Sequence, residues 1–483
     1  MRAAKEAFER RPVIAGARKT KIVATLGPAT ESPEMIGRLI EAGVNVFRLN
    51  MSHATHDWLR RVVSDIRAAA AARRSFTGIM MDTQGPAIRT GNLGVPLDLR
   101  PGQKLVLTVR GERSEEERSV DVNYANFVND ISIGDVVLVD NGNIEMKVLA
   151  KHGNRVECEV LTEGKLRSRR HINLPGVKVS LPALTAKDIQ DVQAGLAAGV
   201  DLIALSFVRE ARDILQLKEL FEGAKNVPLV IGKIEDQQAL ANLEDIVREA
   251  DGIMVARGDL GIEIPYEELP IVQRRIVKLC LRHGKPVIVA THMLESMIES
   301  PMPTRAEVTD VANAVYEQAD AIMLSGETTV GKHPLRCIEV FDRIATRIER
   351  SGGANFSESC ELTSPRQKLV KSAVVMANEL KAEAILVITR SGNTARHTAW
   401  LRPRYSKIYA LCPGEEVARG LSLSWGVRPF VAPFDLINPE NTIEAALKSL
   451  LAQERLHPGA TVVVIGLILV SDQIVDAVQM RVV

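Results

Sequence analysis

Lys233 and Glu235 stand two residues apart at the end of the apolar run Val230-Ile231-Gly232, and Arg257-Gly258-Asp259 closes a second run, Ile253-Met254-Val255-Ala256. Both runs have the β-branched character of strands buried on both faces. Two carboxylates and a lysine delivered to one end of neighbouring strands can form a divalent-metal and anion site, because Mg²⁺ takes one or two carboxylates together with substrate oxygens. A plainer reading makes Glu235 and Asp259 caps of the helices that follow, with Lys233 as their surface partner. The other strand ends bear on that choice.

Elements able to position these residues repeat along the first 350 positions. Short apolar runs at 21–26, 44–49, 78–81, 202–207, 229–234, 252–256, 286–290 and 321–324 alternate with amphipathic stretches such as 33–42, 58–72, 211–222 and 272–283. Eight strands alternating with helices predict an α/β protein built on a closed parallel (β/α)8 TIM barrel. An open doubly wound sheet competes with it, but no GxGxxG follows the first strand. Residues 86–182 break the rhythm with short strands (104–109, 135–139, 156–161) separated by turns such as Asp140-Asn141-Gly142. They predict an inserted all-β domain, a β-barrel placed as a lid over the catalytic face. Ser351-Gly352-Gly353-Ala354 marks a further boundary. The expected organisation is a lead-in at 1–17, a barrel at 18–85 and 183–350, the lid at 86–182, and a C-terminal α/β domain at 351–483 whose last strand is 461–465.

Chemistry in a parallel barrel collects where strands meet the loops after them. Those ends supply Arg48, Asn50, Ser52 and His53, then Asp82, Thr83 and Arg89, then Ser206 and Arg209. Lys233 and Glu235 follow, then Arg257, Gly258 and Asp259, then Thr291 and His292, and finally Ser325 and Glu327. Arg48, Arg89 and Lys233 can hold phosphate oxygens. Gly258 admits backbone N–H groups to an anion at a helix start. The set is phosphoryl-transfer equipment without a P-loop or a kinase glycine-rich loop.

Composition excludes other classes. Charged residues are 25% of 483 and the formal net charge is +1, so there is no basic field for nucleic acid. Aromatics at 4% argue against base-stacking surfaces. Five scattered cysteines lack disulfide or zinc spacing, and no apolar run is long enough to span a membrane, so a cytoplasmic protein is expected.

The segments KTKIVATLGPAT, VFRLNMSH, MDTQGPAIRTG, NLPGVKVSLPALTAKD, IGKIE, DGIMVARGDLGIEIP, ATHMLESM and PTRAEVTDVANAVYEQADAIMLSGETTVGKHP occur in the order found in pyruvate kinases. The chain resembles that family over almost its full length. The resemblance implies a barrel with an inserted lid and a C-terminal regulatory domain. It also implies transfer of a phosphoryl group from phosphoenolpyruvate to ADP, giving pyruvate and ATP, in a homotetramer.

Roles implied by the resemblance follow position by position. Lys233 matches the lysine that stabilises the moving phosphoryl group, and Glu235 and Asp259 match the ligands of Mg²⁺ or Mn²⁺. Arg48 is similar to the phosphate-binding arginine, with Gly258, Asp259 and Thr291 around the phosphoenolpyruvate carboxylate. Asn50, Ser52, Asp82 and Thr83 match a K⁺ site. Asn50, His53, Arg89 and Arg170 resemble nucleotide-side residues, Arg170 standing where the family usually has lysine. Thr389-Arg390-Ser391-Gly392-Asn393-Thr394 resembles a loop that holds a sugar-phosphate or nucleotide effector, although the Trp/Arg/Gly-rich loop that completes such a site is replaced by residues 465–472.

Departures concern Gln84 and Ala87, where the family often has Lys and Glu, and His292, where it usually has Gln. Ala87 supplies neither the acid of K⁺-dependent members nor the lysine of K⁺-independent ones. Two alternatives remain at this point: a metal-dependent pyruvate or enolpyruvate lyase on a similar barrel, and a catalytically silent regulatory homologue.

Overall fold

The computed structural model describes residues 18–109, 118–435, 437–470 and 473–483. The expected lead-in at 1–17 lies outside the described residues, as do Ser471 and Asp472.

Eight parallel strands close into a barrel: β1 (Lys21–Thr25), β2 (Val46–Asn50), β3 (Gly78–Asp82), β4 (Leu202–Leu205), β5 (Leu229–Ile234), β6 (Gly252–Ala256), β7 (Val287–Ala290) and β8 (Ala321–Leu324). Each follows its predecessor around the ring, and β8 pairs back onto β1 with Lys21 opposite Ala321. Side chains alternate as the two-residue strand period requires. Val23, Val46, Met80, Ala204, Ile231, Met254, Ile288 and Met323 fill the interior. Ile22, Phe47, Ile79, Ile203, Val230, Ile253, Val289 and Ile322 face outward into the shell of helices. With apolar residues on both faces, the strands read as unbroken apolar runs. The helices start where the sequence offers caps: Ser32, Thr55, Thr185 and Thr304 each accept a backbone N–H of the first turn.

The lid leaves the barrel after β3 at a built hinge. Asp188 Oδ1 accepts the backbone N–H of both Gln84 (3.0 Å) and Gly85 (3.1 Å). Gly85 has φ +70°, and a Cβ there would lie 2.8 Å from the Phe207 ring, so glycine is required twice over. Beyond it stand a six-stranded sheet, in the order 172–173, 136–139, 144–152, 155–160, 104–109 and 119–122, and a two-stranded ladder of 97–99 with 164–166. A separate core built on Leu105, Phe127, Val137, Met146 and Val156 holds them.

The C-terminal sheet has the order β11-β10-β9-β12-β13, with β9 (Ala384–Ile388), β10 (Lys407–Cys412), β11 (Val427–Val431), β12 (Thr461–Val470) and β13 (Gln473–Val482). This corrects the expectation of a last strand at 461–465. The strand continues through Gly466, and an antiparallel partner pairs with it from Thr461↔Val482 to Val470↔Gln473. Gly466 reads as a break, but a Cβ there would stand 3.3 Å from Ile388 Cδ1; the glycine permits close packing rather than ending the strand.

The foot of the barrel is locked to this domain. Asp320 accepts Arg402 Nη2 at 2.7 Å and the Val287 N–H at 3.1 Å, with both charged side chains almost fully buried. Lys21, also buried, donates to the Val427 carbonyl at 2.6 Å. Burial, reinforced by Arg18 and Arg428, pushes its ammonium down to about 7. Between that value and the ordinary lysine range the unfolded chain binds a proton that the folded chain does not, so stability rises with pH by at most about 1.4 kcal/mol per unit. The thiols of Cys158, Cys337 and Cys412, pushed by burial up to about 12, oppose this only above about pH 8.5, where unfolded thiols ionise. Thermal melts are therefore expected to show stability climbing from pH 7 toward about 8.5. Lys21→Met should reduce that climb, leaving the part due to Lys19, which burial pushes down to about 8; an unchanged slope would remove Lys21 as a cause.

Candidate functional site

At the C-terminal ends of the barrel strands, beneath the lid, lies a cleft of about 360 Å³ lined by residues of both domains. Its floor is a charged cluster centred on Lys233. The ammonium lies 2.8 Å from Glu235 Oε1, 3.2 Å from Asp82 Oδ1 and 2.8 Å from Ser206 Oγ. Asp82 is shared: its other oxygen meets Arg48 Nε at 2.5 Å, while Arg48 Nη1 reaches Thr25 Oγ1 at 3.2 Å. Glu235 Oε2 accepts the Phe207 N–H at 2.5 Å. Lys233 and Glu235 are buried, at 8% and 1% exposure, which rules out the surface-pair reading. The caps fall elsewhere: Asp236 caps the helix after β5, and Ala256 occupies that position after β6.

The electrostatics follow from this geometry. Burial opposes charge on Lys233, but Asp82 and Glu235 outweigh it and hold the ammonium above its usual range. For Asp82, burial is likewise outweighed by Arg48 and Lys233, and its carboxyl is held below the usual range. Glu235 goes the other way. Burial and the charge of Asp259 raise its carboxyl, against the pull of Lys233. Three carboxylates (Asp82, Glu235, Asp259) thus share two cations (Arg48, Lys233), and the cluster is one positive charge short at Glu235 and Asp259. Hard oxygen donors with surplus negative charge suit a divalent cation.

Asn50, Ser52, Thr83, Arg89 and Arg170 also line the cleft. Asn50 Oδ1 accepts the Ser52 N–H at 3.1 Å, and Thr83 Oγ1 accepts the Ser206 N–H at 3.0 Å. On the lid side Arg170 pairs with Asp140 at 3.3 Å, while Arg89 Nη1 reaches the Arg169 carbonyl at 3.3 Å. His53 is exposed on the loop after β2. Gly258 and Thr291 meet each other, the glycine N–H donating to Thr291 Oγ1 at 2.7 Å. Thr291 and His292 both have positive φ, +68° and +54°, a strained pair beside the barrel mouth. Arg257, a polar strand end in the sequence, turns inward: it donates to the carbonyls of Ala290 (3.2 Å) and Thr291 (2.6 Å) and to Asp310 (2.6 Å). It therefore braces the Thr291 turn and leaves anion binding to others. The effector-like loop is in the C-terminal domain, beside a separate cavity of about 530 Å³ lined by Thr389, Arg390, Ser391, Asn393, Thr394 and His397.

Phe207 has no sequence signature, and Ser206, a polar strand end in the sequence, takes its role from its neighbours. Phe207 holds Glu235 through its backbone, with φ +53°, and its ring sits 6.1 Å from that of His171 on the lid. Ser206 joins Lys233 to the Thr83 carbonyl, 2.7 Å away.

A family model described as the pyruvate kinase barrel domain matches residues 17–338, and one described as the pyruvate kinase alpha/beta domain matches 367–473. The chain belongs to the pyruvate kinase family. Pyruvate kinases of Staphylococcus aureus strains MRSA252 and USA300 are each 42% identical to it over 427 residues, 86% of this chain and 72% of theirs. The crystal structure of a pyruvate kinase from Cryptosporidium parvum superposes with a TM-score of 0.91 at 36% identity, covering 96% of both chains. Pyruvate kinases thus share the barrel, the inserted sheet and the C-terminal α/β unit seen here.

Proposed function

We propose that this pyruvate kinase transfers the phosphoryl group of phosphoenolpyruvate to ADP over the Lys233 cluster. The observation that carries the site assignment is the buried ammonium held 2.8 Å from Glu235 and 3.2 Å from Asp82 at the barrel mouth. Both substrates are polyanions, and each like-charge contact near 4 Å costs about 4 kcal/mol at an effective dielectric of 20. Lys233 and Arg48 offset that repulsion where charge spreads over the transferring group. Glu235 and Asp259 would hold Mg²⁺ or Mn²⁺, which supplies further neutralisation of phosphoryl and enolate oxygens. Arg89, Arg170, Asn50 and His53 serve the nucleotide side, the arginines being suited to bidentate phosphate contacts. Gly258, Asp259 and Thr291 hold the carboxylate end of phosphoenolpyruvate. Protonation of the enolate at carbon needs a relay. Ser325 Oγ, buried without a protein partner, and Glu327, which accepts the Ser325 N–H at 2.7 Å, support a water path with Thr291.

The oxygens of Asn50, Ser52, Asp82 and Thr83 would supply a donor set for K⁺, Asp82 being the one that also meets Arg48 and Lys233. Ala87 lines the same cleft and brings no charge of its own to replace the ion. Replacing K⁺ with a bulky organic cation at equal ionic strength is expected to lower turnover at least about tenfold, about 1.4 kcal/mol. Equal turnover in the two salts would remove K⁺ from the mechanism.

The cavity at Thr389-Arg390-Ser391-Gly392-Asn393-Thr394 is assigned to a phosphate-bearing effector, a sugar phosphate or a nucleotide. Gly392, at φ +86°, donates to Thr389 Oγ1 at 3.0 Å and opens the helix Asn393–Trp400 behind the loop. Titrating fructose bisphosphate, AMP and sugar monophosphates against the phosphoenolpyruvate saturation curve should shift its midpoint with at least one of them. A curve unmoved by all would make the loop a structural turn. Light scattering tests the homotetramer expected for the assembly. No helix among the described residues is long and apolar enough to cross a membrane.

A further inference from the structure

Behind the substrate cleft, on the far side of the lid hinge, lies a second cavity of about 390 Å³ that the proposed reaction does not use. It is lined by Glu263 at the end of the helix Arg257–Glu263, by Asp236, Gln237 and Gln238 after β5, and by the lid segment returning to the barrel. Ile88, Leu174 and Val177 make one apolar wall.

Against that wall stand a buried carboxylate and an amide oxygen to which no cation is paired among the described residues. Asn173, 4% exposed, donates from Nδ2 to Glu263 Oε1 at 3.0 Å across 90 residues of chain, and its amide oxygen has no partner among the described residues. Glu263 is 8% exposed, and this is the one hydrogen bond its carboxylate makes among the described residues. Burial pushes its carboxyl up to about 7, against the Asn173 bond and with the charges of Asp236 and Asp259 adding to the rise; no cation comes near enough to offset them. Asp236 lines the same space. Arg209, the guanidinium beside it, is committed to the carbonyls of Val179 and Leu181. Lys178 is exposed at the rim.

A buried carboxylate and an unpartnered amide oxygen beside an apolar wall recognise a donor-rich cation with a short hydrocarbon body, while Asp236 is held by the Ala239 N–H and the neighbouring Arg209. A bare divalent metal fits poorly, since it wants six or more oxygens and the wall supplies none. We propose that the hinge cavity is a binding site for a small organic ammonium compound, its head group taken by Glu263 and Asn173 and its apolar part by the Ile88–Val177 wall. His171 and Phe207 border both this cavity and the substrate cleft, and the Phe207 N–H holds Glu235. A ligand here therefore touches the wall that carries a metal-binding carboxylate and the segment on which the lid turns. The site itself is independent of the pyruvate kinase reading.

Calorimetry with benzylammonium as the probe tests it, run with phosphoenolpyruvate and Mg²⁺ at saturation so that the substrate cleft is filled. Benzylammonium is expected to bind, and neutral benzyl alcohol to bind at least about tenfold more weakly, the effect of about 1.4 kcal/mol. Glu263→Gln should weaken the ammonium by a similar factor and remove its preference over the alcohol. Val177→Trp, which fills the space without touching the acceptors, should abolish binding in a chain whose melting temperature and turnover remain near wild type. Absence of binding to the wild-type chain, or binding to either variant as tight as to the wild type, would overturn the proposal. So would binding that disappears when phosphoenolpyruvate is added, because that places the probe in the substrate cleft.

Discussion

Replacing Lys233 with methionine is expected to lower kcat by about 10²–10³-fold or more, the range for removing one preorganised donor from a transition state. The reason lies in what the ammonium touches. It stands between Asp82 and Glu235 with Ser206 behind it, so its position is fixed before substrate arrives. Methionine keeps the length and apolar stem but removes the charge. The fold should also suffer, because breaking a buried ion pair costs about 3–5 kcal/mol when a charge is left uncompensated. The lower end applies here, since Asp82 retains Arg48 and Glu235 retains the Phe207 N–H. Arginine should not rescue turnover: its planar fork cannot occupy the point-like position of the ammonium. Stopped-flow or coupled turnover measurements together with thermal melts check both parts. A Lys233→Met enzyme within tenfold of wild type would contradict the assignment.

Glu235→Gln is expected to act in the opposite sense on metal. Glutamine is nearly isosteric and its one amide oxygen can still accept the Phe207 N–H, but its NH2 then faces the Lys233 ammonium, so a lowered melting temperature is expected beside the metal effect. What disappears is the negative charge that faces Asp259 and would meet a divalent cation. A unit charge pair at 4 Å is worth about 4 kcal/mol at an effective dielectric of 20. The Mg²⁺ activation constant is therefore expected to rise at least about 100-fold, with the Mn²⁺ dissociation constant moving in parallel by paramagnetic resonance. Lys233→Met should instead leave Mn²⁺ binding unchanged or tighter, because the ammonium now competes for Glu235. The two variants thus separate a metal ligand from a phosphoryl-stabilising cation. Loss of Mn²⁺ affinity in both would mean that the cluster acts as one undivided metal site.

Much of this was legible in the sequence because a parallel barrel writes itself plainly. Its strands are apolar on both faces, so runs such as Gly252–Ala256 stand out, and the first polar residues after them fall at the barrel mouth. Lys233, Glu235, Asp259 and Arg48 were found in that way. The residues that escaped act through backbone or turn away from the cleft. Phe207 contributes an N–H, which every non-proline residue has, and nothing in its side chain announces it. Arg257 occupies a strand end like the others, yet its guanidinium bends back to brace the Ala290 and Thr291 carbonyls. Direction of a side chain is set by tertiary packing, and strand position alone does not specify it. The C-terminal hairpin was misread for a similar reason. Gly466 weakens a strand pattern, and only the neighbouring Ile388 shows why glycine is needed there. Glu263 and Asn173 gave no signal either, lying 90 residues apart and meeting only because the lid folds onto the helix after β6.

Phosphoenolpyruvate consumption by the purified chain, followed through pyruvate with lactate dehydrogenase as the coupling enzyme, is the most direct test of the phosphoryl-transfer assignment. Pyruvate should form only when ADP and a divalent metal are both present, with ATP appearing in equal amount, and chelation of the metal should stop both. Pyruvate released at the same rate without ADP, with inorganic phosphate in place of ATP, would contradict it and make the chain a phosphatase.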